Sequence, residues 1–310
     1  MTYRVFALAL ESDTPLPELV RRPARRAGLR VRLRAPELPS RRWVWVETWR
    51  IGRARPWLLI GRLGDDWLLR FPRLADFVVT EGGSHIAGRN RGVPPHTVRH
   101  LLIDHVVPLV LSAQGHAMLH ASAVAAPRGA ALFAGVSGAG KSTVAASFTD
   151  GPSRFFADDV VRIVRARSGY AIASTHAGAR LWPDSLSVVG GSGRSRRIAH
   201  YSTKRRVDPG PAPSPRDLRT LRAVYLLGDS TRRRQPMAIA PVGRRAALVE
   251  LLRHCYSLDP RNPAAARQHF ETLAGLCDAV PVFALSYPRD LQQIGEVRDM
   301  IAAHMAGQAA

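Results

Sequence analysis

The stretch Gly135-Val136-Ser137-Gly138-Ala139-Gly140-Lys141-Ser142-Thr143 constrains the fold of this chain more than any other, because it fits G-x-x-x-x-G-K-[ST]. Before it, Ala130-Ala131-Leu132-Phe133-Ala134 is a short apolar run of the kind a buried strand needs. After it, Val144 to Phe148 can open a helix. Strand, glycine turn and helix N-terminus in that order bring backbone N–H groups and the positive end of a helix dipole to one point, where an anion is favoured. The lysine is informative in its own right. The chain holds 43 arginines and only two lysines. Lysine stands where a compact point charge must reach a β/γ-phosphate, a slot too narrow for a planar guanidinium fork. The motif therefore predicts binding of a nucleoside triphosphate by Gly135, Ser137, Gly138, Ala139, Gly140, Lys141, Ser142 and Thr143.

The 310 residues allow about two domains with an ample core. No apolar run approaches the roughly 18 residues of a membrane span, and Val5 to Leu10 is too short for a signal-peptide core. A cytoplasmic protein is the expectation. Cys255 and Cys277 have no metal-ligand spacing and form no disulfide framework, so they are expected as reduced core thiols. A net charge of +21 points to acidic partners. The arginines, however, are scattered in pairs and triplets (Arg21-Arg22, Arg25-Arg26, Arg41-Arg42, Arg232 to Arg234, Arg244-Arg245) rather than gathered in one aromatic-laced stripe. An arginine-rich solvated surface accounts for them as well as a partner does, and nucleic acid is not an expected partner.

Residues 1–95 read as a β-rich domain. Its runs are Tyr3 to Leu10, Leu29 to Leu33, Trp43 to Trp49, Trp57 to Ile60, Trp67 to Phe71 and Phe77 to Thr80, with a hairpin signal at Gly64-Asp65-Asp66. Pro15-Leu16-Pro17 and Pro36 to Ser40 read as loops. Trp43, Trp45 and Trp49 could form a base-stacking platform, but their alternation fits sheet-face or core residues better. Residues 96–115 carry apolar side chains at helical spacing, with Gly115 as the stop, and read as a bridging helix. Residues 116–310 then alternate strands (117–126, 130–134, 155–157, 160–165, 170–173, 223–227, 282–285) and helices (243–254, 264–277). Residues 190–216, rich in glycine, serine, proline and arginine, predict a long mobile loop.

Two features near the glycine-rich loop suggest chemistry. Asp158-Asp159 ends the next apolar run, and in a parallel α/β sheet that strand end lies beside the loop. Adjacent strand residues point to opposite faces, so the two carboxylates share no task unless the strand has already ended. One can contact a metal and the γ-phosphate while the other deprotonates a hydroxyl. His120 lies on the strand before the loop. On its own, a histidine in an apolar strand is most often a hydrogen-bonded core residue, but this strand neighbours the loop.

The order Leu119-His120-Ala121-Ser122-Ala123-Val124, then Gly135 to Thr143, then Ala157-Asp158-Asp159 resembles the HPr kinase/phosphorylase family. It is closer to that family's shorter homologues, the HPr-kinase-related kinases, which include kinases of lasso-peptide precursors. Pro15-Leu16-Pro17-Glu18-Leu19, Arg180-Leu181-Trp182-Pro183 and Tyr287-Pro288-Arg289-Asp290-Leu291 extend the resemblance over most of the chain. It implies an α/β P-loop nucleotide-binding core like that of HPr kinase and phosphoenolpyruvate carboxykinase, with ATP, Mg²⁺ and γ-phosphoryl transfer to a hydroxyl, often of serine. Carried over by position, Lys141 binds the β/γ-phosphates, Ser142 and Asp158 contact Mg²⁺, Asp159 is the base and His120 orients the aspartates. Arg180, Lys204 and Arg205 are candidates for phosphate or acceptor contacts. The chain departs from the true HPr kinases after Asp159, where Ala171 to Pro183 replaces their second signature, and in its N-terminal β region. Neither the reverse phosphorylase reaction, nor HPr as acceptor, nor hexameric assembly is therefore implied.

The leading expectation is an ATP-dependent kinase whose partner is a hydroxyl-bearing acceptor: a peptide, a protein or a small molecule such as a sugar or lipid. Homo-oligomerisation is left open. From other classes, the competing readings are a nucleotide-gated regulator without transfer activity and a nucleic-acid-stimulated ATPase. The close spacing of the aspartates behind the loop speaks against the second.

Overall fold

Phe6 and Ala7 take positive φ angles of 50° and 62°, and this turns the first apolar run back on itself. The computed structural model describes residues 1–307 except 25, 35–37, 39–40, 51–54, 150–151, 176–177, 190–194, 208–217 and 229–235. Tyr3 to Leu10, expected as one run, is two antiparallel strands, Thr2–Val5 and Leu8–Ser12. Phe6, at the tip, is fully buried, so the turn is closed by apolar packing and carries none of the usual glycine or asparagine turn residues. These strands open a nine-stranded sheet. Its spatial order is Val20–Arg21, Thr2–Val5, Leu8–Ser12, Leu29–Arg32, His85–Asn90, Ala75–Thr80, Asp66–Phe71, Pro56–Leu63 and Val44–Arg50. Gly64, at φ 60°, and Asp65 form the two-residue hairpin between Leu63 and Asp66. His85–Asn90 was not anticipated; its Gly88 and its polar ends hide the strand pattern. Trp45 is half exposed on the edge strand and lies under the Arg70 guanidinium.

The expected helix is present as Pro95–Leu101, a π-helical turn at Leu102–Val106, and Val107–Ala113, with Gly115 at φ 86° beyond its end. Its apolar side chains, including Leu101, Leu102, Val106 and Val110, belong to the core of the first sheet. Met118, Val160 and Leu258 from the second half join that core.

A second sheet begins where the expected strand 117–126 breaks in two at His120. Met118–Leu119 pairs with Val161–Ala166, while Ala121–Ala126 pairs with both Gly129–Gly135 and Arg154–Ala157. The sheet is mixed rather than parallel. Gly129–Gly135, Arg219–Leu227 and Val282–Ser286 are parallel neighbours, and Ala121–Ala126 is antiparallel to the strands on both its sides. Ala238–Pro241 borders Val282–Ser286. One face packs on the helices Arg244–Arg253 and Pro263–Ala279, the other on Lys141–Ala146 and Ile294–Gly307.

Of the expected mobile loop 190–216, residues 190–194 and 208–216 lie outside the described residues. Residues 195–207 contain the strands Arg196–Arg197 and Arg205–Val207, which join Ala179–Leu181 in a three-stranded sheet. The loop Pro36 to Ser40 and the cluster Arg232 to Arg234 also fall largely or wholly outside the described residues, as does Arg25. Among the described residues, no helix is long and apolar enough to cross a membrane.

Candidate functional site

The antiparallel strand Ala121–Ala126 explains why the candidate residues meet. Gly129–Gly135 and Arg154–Ala157 flank it and run the same way, so their C-terminal ends emerge on one edge of the sheet, where Ala121–Ala126 begins. Gly135 and the following loop, Asp158-Asp159 and His120 are thereby gathered without the parallel adjacency expected from the sequence. His120 and Asp159 line one cleft of about 560 Å³ with Ser137 to Thr143, Arg180, Trp182, Lys204 and Tyr287 to Leu291.

The loop takes the backbone its glycines permit. Gly135, Gly138 and Gly140 have φ of 154°, 83° and 97°, and a Cβ on Gly140 would lie 2.3 Å from the Tyr287 hydroxyl. Lys141 opens the helix Lys141–Ala146 and is buried. Its Nζ donates to the Gly135 and Val136 carbonyls at 2.8 and 3.0 Å. Burial pushes this ammonium down to about 8, against the pull of Asp159 and Asp158. Thr143 is buried and donates to the Ser185 hydroxyl at 3.2 Å, while Ser142 lines the cleft. From the far side, Tyr287 Oη donates to the Ala139 carbonyl at 2.9 Å and Arg289 Nη2 to the Gly138 carbonyl at 3.0 Å.

The strand ends at Ala157, and this releases the two aspartates to different surroundings. Asp158 is buried with both carboxylate oxygens engaged. Oδ1 accepts from the Ser122 hydroxyl at 2.7 Å and Oδ2 from the Arg180 backbone N–H at 2.7 Å. Asp159, at φ 70°, turns its side chain into the cleft. Its Oδ1 is 3.4 Å from His120 Nδ1 and its Oδ2 is 3.3 Å from Arg180 Nη1. The His120 ring also reaches the Asp159 carbonyl at 2.9 Å, so one histidine braces backbone and side chain together. Burial opposes the Asp159 charge, but Arg180 and His120 outweigh it and hold the carboxyl below the usual carboxylate range. His120 is pushed down by burial, with Asp159 acting against that and Lys141 with it.

Arg180 is a buried hub. It reaches Asp158, Asp159 and, by ion pair, Asp104 on the π-helical turn. Asp104 also takes a hydrogen bond from His100. Around this pair, Glu18 accepts Arg99 Nε at 2.9 Å on both oxygens, and Arg206 lies between Glu18 and Asp104. Asp104, Ser122, Tyr287 and Arg289 were given no role from the sequence. Asp104 did carry a signal, as the lone acid in the apolar run Leu101 to Val107. Lys204 lines the cleft with its ammonium 5.0 Å from the Trp182 ring. Arg205 is not in the cleft wall; its guanidinium turns to Ser195, with Nε 2.7 Å from the hydroxyl. The cleft thus takes one cation of these two neighbours.

No protein-family model matches this chain, and no curated protein matches its sequence. Among solved structures, the HPr(Ser) kinase/phosphatase from Coxiella burnetii is similar at 9% identity with a TM-score of 0.34, over 62% of this chain and 92% of that one. A likeness that distant leaves the function to be argued from the cleft itself.

Proposed function

We propose that this chain is an ATP-dependent kinase transferring the γ-phosphoryl group to a hydroxyl, with a serine of a peptide or protein as the first-choice acceptor. One observation carries the reading: a buried lysine in a glycine-rich loop at a helix N-terminus shares a cleft with Asp159, a carboxylate held ionised and braced at the cleft wall. The residues fit a nucleotide. The loop offers a backbone turned by positive φ at Gly135, Gly138 and Gly140, and the Lys141 ammonium rests on carbonyls that a phosphate can replace. They also fit Mg²⁺ carried mostly by phosphates. Among the described residues no cluster of three or more acidic, histidine or cysteine side chains could hold a metal alone, and we assign Ser142, which lines the cleft, to it.

Bound Mg²⁺ would supply charge neutralisation on the transferring phosphoryl group. Lys141 binds the β/γ-phosphates, and the loop N–H groups orient them. Asp159 accepts the acceptor's hydroxyl proton while the acceptor oxygen forms the new bond to phosphorus and the bond to the leaving diphosphate breaks. No phosphoenzyme is needed. His120 and Arg180 hold Asp159 in place. With both its oxygens engaged, Asp158 serves as the fixed post on which Arg180 and Ser122 are aligned, in preference to the metal contact expected from the sequence. We assign the N-terminal sheet, and the three-stranded sheet with Lys204 and Trp182, to the acceptor side.

The test is γ-³²P-ATP transfer with Mg²⁺, using the producing cell's lysate and small peptides encoded beside the gene as acceptors, comparing wild type with Asp159→Asn. Label that disappears in the variant supports the kinase. ATP binding with no Asp159-dependent label would instead make the protein a nucleotide-gated regulator.

A further inference from the structure

The cleft has two walls, and the mechanism above uses only one. On the sheet edge the glycine-rich loop rises from Gly129–Gly135. To one side lie Ala121–Ala126 and Arg154–Ala157, which deliver His120 and Asp159. To the other lie Arg219–Leu227 and then Val282–Ser286, parallel to the loop's own strand. The chain leaving Val282–Ser286 therefore passes the loop on the face opposite Asp159. It contributes Tyr287, Pro288, Arg289, Asp290 and Leu291 to the cleft.

Two of these residues grip the loop by its carbonyls, Tyr287 at Ala139 and Arg289 at Gly138. Across a trans peptide the C=O of one residue and the N–H of the next point in opposite directions. With no cis peptide among the described residues, Tyr287 thus turns the Gly140 N–H away from itself, so the tyrosine sets the direction of a loop donor. The Arg289 guanidinium has five N–H donors and gives one contact to Gly138. No carboxylate pairs with it among the described residues. The neighbouring Asp290 is already taken by the Gln292 backbone N–H at 2.9 Å and by Gln293 Nε2 at 3.1 Å. Arg180, the other cleft guanidinium, is spent on Asp104, Asp158 and Asp159. Arg289 is accordingly a solvent-facing cation at the loop tip with donors to spare.

We infer that Arg289 is a second phosphate-binding cation of the cleft, taking the polyphosphate from the wall opposite Asp159, with Tyr287 as the positioning residue that sets the loop for it. This rests on the nucleotide reading above. A polyphosphate lying in the loop with its reacting end at Asp159 presents its other oxygens to the Tyr287–Leu291 wall. There a planar fork can bridge two of them, a geometry that lysine cannot match.

The experiment is calorimetric titration of the full chain with inorganic tripolyphosphate and, separately, with ATP, each with Mg²⁺, for wild type, Arg289→Gln and Arg289→Lys. Glutamine removes the charge; its amide ends two bonds short of Nη2, so an unchanged melting temperature is the check that the loop keeps its conformation without the Gly138 contact. The expected result is a loss of about tenfold or more in affinity for both ligands in Arg289→Gln, at unchanged melting temperature, with a smaller loss in Arg289→Lys. Wild-type affinity in Arg289→Gln would overturn the inference and leave the nucleotide reading standing. Weakened ATP binding with intact tripolyphosphate binding would also overturn it, placing Arg289 on the nucleoside. Wild-type protein that binds neither ligand would overturn both readings.

Discussion

Asp104 and Arg180 form an ion pair with both side chains almost wholly out of solvent, and it ties the long helix on the first sheet to the cleft of the second. Burial works against both charges, yet the pairing wins. Arg180 holds the Asp104 carboxyl well below the usual range, and the surrounding aspartates hold the guanidinium above its own. Removing one partner leaves the other charged and desolvated. Asp104→Ala is expected to cost about 3–5 kcal/mol of stability, read from urea unfolding, and to weaken activity because Arg180 also holds Asp159. An Asp104→Leu/Arg180→Met double variant is expected to unfold closer to wild type than either single change. Equal or greater loss in the double variant would show that the pair does not act as a unit.

The two adjacent aspartates are expected to fail in different ways. Asp159→Asn removes the carboxylate we propose as acceptor of the hydroxyl proton and should lower transfer by about 10² to 10⁴-fold with little change in melting temperature. Asp158→Asn faces two donors, the Ser122 hydroxyl and the Arg180 N–H, with only one accepting oxygen. It should cost about 1–3 kcal/mol before any effect on the chemistry. Comparing melting temperature and initial rate for the pair separates the roles, and identical profiles would contradict the division.

The loop and its flanking strand and helix were legible because their signal is local: glycines where φ is positive and a lysine at the helix start. The convergence of His120 and Asp159 was legible only as a proximity. Its cause, an antiparallel strand inserted between two co-directional ones, depends on pairings that no short stretch of sequence encodes. Asp104 was hidden for a related reason. Its partner is 76 positions away, and a single acid in an apolar helix states a need for a partner without naming it. The turn at Phe6-Ala7 escaped notice because apolar residues occupy positive φ there, so composition read straight through it. Lys204 and Arg205 are neighbours in sequence, and only the structure separates them: Lys204 lines the cleft, while Arg205 turns to Ser195.

Two histidines give the fold an acid-side dependence. His105, packed edge-on against Trp57 and His100, and His116, which accepts from Arg162 Nη2 at 3.2 Å, are both pushed down to about 4, first by burial and then by the neighbouring His100 or Arg162. Their folded pKa values lie below the ordinary 6.5, so the unfolded chain binds these protons first. Their contribution to stability is complete above that pH and is lost as pH falls from 6.5 toward 4. Urea midpoints are expected to be level above neutrality and to fall by about pH 5, before ordinary carboxylates titrate. The slope should be shallower in His116→Gln. A midpoint that rises on acidification through this range would contradict the assignment.

Gly140 tests the loop and the Tyr287 wall together. At φ 97° an alanine is strained wherever its side chain goes, and here the Cβ would also lie 2.3 Å from the Tyr287 hydroxyl. Gly140→Ala is expected to cost about 1–3 kcal/mol from the backbone conformation alone. It should cost more where Tyr287 is forced off the Ala139 carbonyl. Tyr287→Phe removes the clashing oxygen together with a hydrogen bond worth about 1 kcal/mol. The double variant should therefore lose less than the two single losses combined, by an interaction energy of roughly 0.5–3 kcal/mol. Unfolding midpoints of the four proteins give that energy directly. Strict additivity would mean that the tyrosine moves aside freely and does not hold the loop, and the orienting role assigned to Tyr287 would then fail with it.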